Sequence, residues 1–142
     1  MPIFALVQLR TDWSITENGL SRREIELISL HVAELNGCSY CLSAHSVVAR
    51  GAGLEAQEIE SARDGRGANG REDAILAFVR RVVRTGGARA GGELEALERA
   101  GITHAQLIDI LAAVALNTFR TAANIVAQTE IDFPPAPRLP SD

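Results

Sequence analysis

Apolar residues recur at helical spacing in about six stretches of this chain, and nowhere do they alternate with polar ones over the length of a strand. The first stretch opens at Ser21-Arg22-Arg23-Glu24, where an N-cap serine and a glutamate three residues on make a capping box. It is expected to run to about Asn36, with Gly37 ending it in the left-handed conformation. Ile25, Leu27, Ile28, Leu30, Val32 and Leu35 point almost all round its axis, which places this helix in the middle of the fold. The next helix begins near Cys38 and ends around Arg50-Gly51, and a short one follows from about Glu55 to Ala62. Arg63 to Gly70 carries turn formers without apolar periodicity and reads as a loop. Further helices are expected from about Arg71 to Thr85, from Glu93 to Ala100, and from the capping box Thr103/Gln106 to about Glu130. Residues 1–20 read as an N-terminal arm containing Trp13. Residues 133–142, starting Phe133-Pro134-Pro135-Ala136-Pro137, read as an extended Pro-rich tail. The pattern predicts an all-α fold: one domain over 1–142, a compact bundle of about six helices.

Composition narrows this picture. The chain has 142 residues, 46% hydrophobic but only 4% aromatic, so Ala, Leu, Val and Ile do most of the packing and helices pack closely. A net charge of −4 with mixed signs gives no basic field for nucleic acid. The first ten residues lack a basic leader, and the longest apolar tract, Ile108 to Leu116, is interrupted by Asp109. Neither a signal peptide nor a membrane span is expected, and a cytoplasmic location follows. There, two cysteines three apart are more often redox-active or metal-binding than a structural staple.

Those cysteines lie in Cys38-Ser39-Tyr40-Cys41-Leu42-Ser43-Ala44-His45. On a helix turning about 100° per residue, Cys38, Cys41 and His45 share an arc of roughly 60°. One sulfur to attack, one to resolve and an imidazole to take the proton is the set that thiol redox chemistry requires. Two buried hydrophobes, or a zinc site completed by a carboxylate, are the competing readings. The helix start favours Cys38 as the thiolate by about 0.3–1 kcal/mol, whereas His45, one turn on, favours Cys41. Glu26, on the preceding helix, shares a face with Ser29, Leu30 and Ala33 that would let the cysteine helix approach. There it would orient His45, although by spacing alone solvent, Arg22 or Arg23 is its more frequent partner. Tyr40 projects away from the stripe and reads as a packing residue, His31 as a satisfied core histidine, and His104 as exposed. Asn117, Arg120 and Asn124 form a polar stripe that bonds neighbouring helices, lines the site or spans a subunit interface; a structural role is favoured.

Glu26, Cys38-x-x-Cys41 and His45 together resemble the signature of the AhpD-like alkylhydroperoxidases of the carboxymuconolactone decarboxylase superfamily. The likeness runs from about Glu24 to Asp64 and reappears weakly from Leu116 to Asn124. It implies an AhpD-like helical fold, a homo-oligomer (trimer or hexamer), and reduction of small hydroperoxides through the cysteine pair. On this resemblance Cys41 is the peroxidatic thiol, Cys38 the resolving one, and Glu26 with His45 the proton relay. It further implies re-reduction by a dithiol, such as a lipoyl group on a partner, and requires no cofactor or metal. The alternatives are a decarboxylase-like lyase acting on a lactone acid and a non-enzymatic zinc or redox-sensing module.

Overall fold

The computed structural model describes residues 19–139, so residues 1–18 of the N-terminal arm, Trp13 among them, lie outside the described residues. Within them are six helices: α1 (Arg22–Leu35), α2 (Ser39–Gly51), α3 (Ala56–Arg63), α4 (Gly70–Thr85), α5 (Gly91–Arg99) and α6 (His104–Ala127). No strand occurs among the described residues, and the all-α expectation is met.

The helix ends follow local chemistry. At α1, Ser21 Oγ accepts from the Glu24 N–H while Glu24 accepts from the Ser21 N–H, and α6 repeats the arrangement with Thr103 and Gln106. Gly37, at φ +68°, turns the chain out of α1 and directly into α2. Gly65, at φ +80°, lies against the His31 ring and the Arg80 guanidinium, where a Cβ would collide with both. The last helix stops at Ala127, earlier than its pattern predicts. Gln128 adopts the left-handed conformation at φ 49°, and the Thr129 N–H returns to the Asn124 carbonyl. A non-glycine residue in this conformation leaves no sequence signal of its own.

Helix α1 is the centre of the bundle, packed against α2, α3, α4 and α6. Ile28 and Val32 join Ile75, Phe78 and Val79 of α4, Leu97 of α5, and Ile110, Ala113 and Val114 of α6 in one apolar cluster. Leu27 and Leu30 face Ala49, Leu54, Ile59, Ala62 and Leu76 in a second. Each buried Leu, Ile, Val or Phe side chain contributes about 1.5–3 kcal/mol, and α1 supplies buried side chains to both of these clusters and to a third. The third cluster contains Ala33, Cys38, Tyr40, Cys41, Leu42 and Ala44, covered in part by Phe133 and Ala136 of the tail. Residues 133–139 of the tail are non-helical, as the prolines require, and they are docked: the Ala136 N–H donates to Ser43 Oγ at 3.2 Å, and Phe133 meets Tyr40 edge-on.

Helix α6 is apolar on two opposite sides. Ile110, Ala113, Val114, Asn117, Thr121 and Asn124 face the bundle, while Ile108, Leu111, Phe119 and Val126 are exposed along the far side. By length and composition alone it is apolar enough to cross a membrane, with 33% of its most apolar window buried in the fold.

Candidate functional site

Gly37 breaks the chain between α1 and α2, and Cys38 becomes the N-cap of α2. Its Sγ accepts a hydrogen bond from the Cys41 N–H at 3.2 Å, the role a serine or aspartate oxygen plays at other helix starts. Cys38 and Cys41 are joined in a disulfide, and both are almost fully buried. Helical spacing carries His45 onto the same side one turn beyond Cys41. The pair is in its oxidised form, and no free cysteine remains.

The small face of α1 holds the second half of the site. Ser29, Leu30 and Ala33 are buried, which brings α1 and α2 close together. Glu26 Oε2 then lies 2.9 Å from His45 Nδ1, with the two side chains 10% and 15% exposed. Spacing alone pointed Glu26 towards Arg22, Arg23 or solvent. Instead Arg23 turns the other way, donating to Glu72 at 2.8 Å and Glu58 at 2.7 Å. A carboxylate accepting from Nδ1–H leaves the Nε2 lone pair of a neutral imidazole free to take a proton. Glu26 and His45 thus form one pair between α1 and α2, and Cys38 and Cys41 form another at the start of α2, one turn before His45 on the same helix.

The expected structural role holds for part of the α6 polar stripe. Asn117 is structural: its amide donates to Ser29 Oγ at 3.1 Å and to the Ala113 carbonyl at 2.9 Å. Asn124 lines the site, with Nδ2 3.7 Å from Cys41 Sγ. The available signal was its position two turns beyond Asn117 on one helix face, which cannot indicate a cysteine 83 positions away. Tyr40 packs as expected; burial, with Asp132 beside it, pushes its hydroxyl above the usual tyrosine range. His31 is buried with Nδ1 2.9 Å from the Arg63 carbonyl, but Nε2 has no hydrogen-bond partner, so it is only half satisfied. Burial, reinforced by Arg80 and Arg84, holds it below the usual histidine range. His104 is exposed at the start of α6. Among the described residues, no three His, Cys, Asp or Glu side chains are grouped to hold a metal ion.

Comparison with known proteins gives a consistent picture. Residues 4–84 match the model of the carboxymuconolactone decarboxylase family. The alkyl hydroperoxide reductase AhpD of Methylobacterium sp. (strain 4-46) is 43% identical over 49 residues, which is 34% of this chain and 28% of that protein. AhpD of Gluconacetobacter diazotrophicus is 39% identical over 44 residues, 31% of this chain and 24% of the relative. The matched segment thus spans about a quarter of these curated relatives. Among solved structures, an Agrobacterium tumefaciens protein of unknown function, for which an AhpD antioxidant-defence role has been suggested, superposes with a TM-score of 0.75. It is 24% identical, and the match covers 90% of this chain and 89% of that one. The debrominase Bmp8 in complex with 2,3,4-tribromopyrrole gives a TM-score of 0.73 at 19% identity, covering 92% of this chain and 69% of that one. At these identities the structural likeness establishes the AhpD-like fold.

Proposed function

Because the chain belongs to the carboxymuconolactone decarboxylase family and carries a Cys-x-x-Cys pair beside a Glu–His couple, we propose that it is a thiol-dependent peroxidase that reduces small hydroperoxides. The observation that carries this reading is the 2.9 Å contact between Glu26 and His45, one turn from a cysteine already paired with its resolving partner. In the reduced protein His45 Nε2 takes the Cys41 proton, and Glu26 balances the charge that the imidazole acquires. The Cys41 thiolate attacks the terminal oxygen of the hydroperoxide. An S–O bond forms, the O–O bond breaks, and the alcohol leaves with the proton from His45, so that Cys41 is now a sulfenic acid. The Cys38 thiol displaces water from it to form the disulfide. Two electrons have passed from two thiols to one peroxide, and a dithiol of the lipoyl kind returns them by thiol–disulfide exchange.

The homologues named AhpD support the choice of substrate, and a debrominase on the same fold shows that such a scaffold is compatible with other reactions. The assembly we propose is a homo-oligomer in which a second copy covers the outer side of α6, since Ile108, Phe119 and Val126 share one helical face and are exposed there.

The test is stoichiometric. Reduced protein treated with one equivalent of cumene hydroperoxide is expected to lose both of its thiols, and Cys41→Ser to leave the peroxide unconsumed. Thiols that survive excess peroxide refute the reading. Lactone-acid decarboxylation persisting in the Cys38→Ser/Cys41→Ser double variant would replace it with a lyase.

A further inference from the structure

The proposed mechanism gives no role to Asn124, yet its side chain touches one of the two sulfurs and every polar atom of its amide is engaged. Nδ2 carries two hydrogens: one goes to the Arg120 carbonyl at 3.0 Å, and the other points to Cys41 Sγ at 3.7 Å. Oδ1 accepts from the Thr129 hydroxyl at 2.9 Å. Thr129 is brought there by the left-handed turn at Gln128, and its backbone N–H is bonded to the Asn124 carbonyl at 3.1 Å. The amide therefore has only one tolerable orientation. Flipped, it would set Oδ1 against both the Arg120 carbonyl, which can only accept, and the sulfur. The residue is 4% exposed, so water does not compete for the donor.

We infer that Asn124 is the fixed hydrogen-bond donor that stabilises the Cys41 thiolate, its amide oriented by the Arg120 carbonyl and braced by Thr129. The inference rests on the reading of Cys41 as the attacking sulfur. A neutral thiol sulfur is a weak acceptor and a thiolate a strong one, so the same N–H favours the ionised form. This removes the asymmetry that the helix start would impose. Cys38 Sγ receives the Cys41 N–H at the N-terminus of α2, and Asn124 supplies a corresponding donor to Cys41 from a different helix. The other charged or titratable groups around this position are His45 on α2 itself, Glu26 on α1 and Arg120 one turn earlier on α6. Beyond them lie Tyr40 with Asp132 at the tail, and Glu60 and Arg63 of α3, which line a cleft with Arg50. None of these is altered by changing Asn124 to a residue of equal size.

The test uses the full chain carrying Cys38→Ser, so that one thiol remains, and reads the pH dependence of alkylation by iodoacetamide together with thiolate absorbance. Asn124→Leu, which keeps the volume and removes the donor, is expected to move the midpoint up by about one unit, a roughly tenfold loss of thiolate below both midpoints. Asn124→Asp, isosteric but an acceptor, moves it at least as far. Thr129→Val leaves Oδ1 without its donor and loosens the amide, which the Arg120 carbonyl still orients, and gives a smaller shift in the same direction. An unchanged midpoint in Asn124→Leu and Asn124→Asp overturns the inference. If those two fail to fold by circular dichroism, an unchanged midpoint in Thr129→Val does so. A chain whose thiols ignore peroxide would overturn the peroxidase reading and leave this measurement unaffected, so the two failures are distinguishable.

Discussion

Replacing Glu26 tests two things that the proposed relay asks of its carboxylate: orienting the His45 ring and balancing its charge. In Glu26→Gln, a carbonyl oxygen still faces Nδ1–H at about the position that Oε2 occupies, 2.9 Å away, so the tautomer and ring orientation survive. What is lost is the difference between a hydrogen bond to an ionised acceptor and one to a neutral acceptor. With about 1.5–3 kcal/mol for the former and about 0.5–1.5 kcal/mol for the latter, the loss is roughly 1–1.5 kcal/mol. That corresponds to about a tenfold slower step wherever the imidazole is cationic. Glu26→Leu removes the acceptor altogether, leaving His45 unoriented, and the whole contribution of a positioned base is at risk, about 10²–10⁴-fold. Both side chains are mostly shielded, at 10% and 15% exposure, so salt does little to blur the difference. The assay is the single-turnover rate of thiol loss on mixing reduced protein with cumene hydroperoxide, with thermal unfolding as a check on the fold. The expected order is wild type, then Gln, then Leu. A Leu variant as fast as wild type would refute a role for the Glu26–His45 couple, and a Gln variant slower than Leu would refute the division between orientation and charge.

Two further outcomes follow from the rest of the molecule. His31 is held below its ordinary value of 6.5 by burial and by Arg80 and Arg84, so the unfolded chain binds its proton first as pH falls. Its contribution to stability is full above about 6.5 and is lost as pH drops through the folded value; the gap in urea midpoint between wild type and His31→Asn should narrow between pH 8 and pH 5, and a constant gap contradicts this. On α6, Phe119→Glu and Val126→Glu together place charges on the outer stripe and should convert the proposed oligomer into monomers on light scattering. A wild-type chain that is monomeric at tens of micromolar would dismiss that interface.

What the chain determines by itself is local. Capping boxes at Ser21 and Thr103, the left-handed glycine at Gly37 and the 3.6-residue apolar period act within one or two turns, and each element they predict is present within a few residues. The same locality makes Cys38, Cys41 and His45 legible as one stripe, since all three lie in a single helix with its cap. Tertiary structure decides which polar side chains meet. An apolar period identifies the face a helix buries but not the rotation and crossing at which it meets its neighbour, and hydrogen-bond partners depend on both. That is why Glu26 finds His45 rather than the adjacent arginines, why Arg23 reaches Glu72, 49 positions away, and why Asn124 ends against Cys41. The prolines forbid a helix in the tail, but only the packed surface of Tyr40 and Ser43 determines that it lies against the cysteine helix. The sulfur pair and His45 are thus a property of the sequence, whereas Glu26 and Asn124 are brought to them by the packing of α1 and α6 against α2.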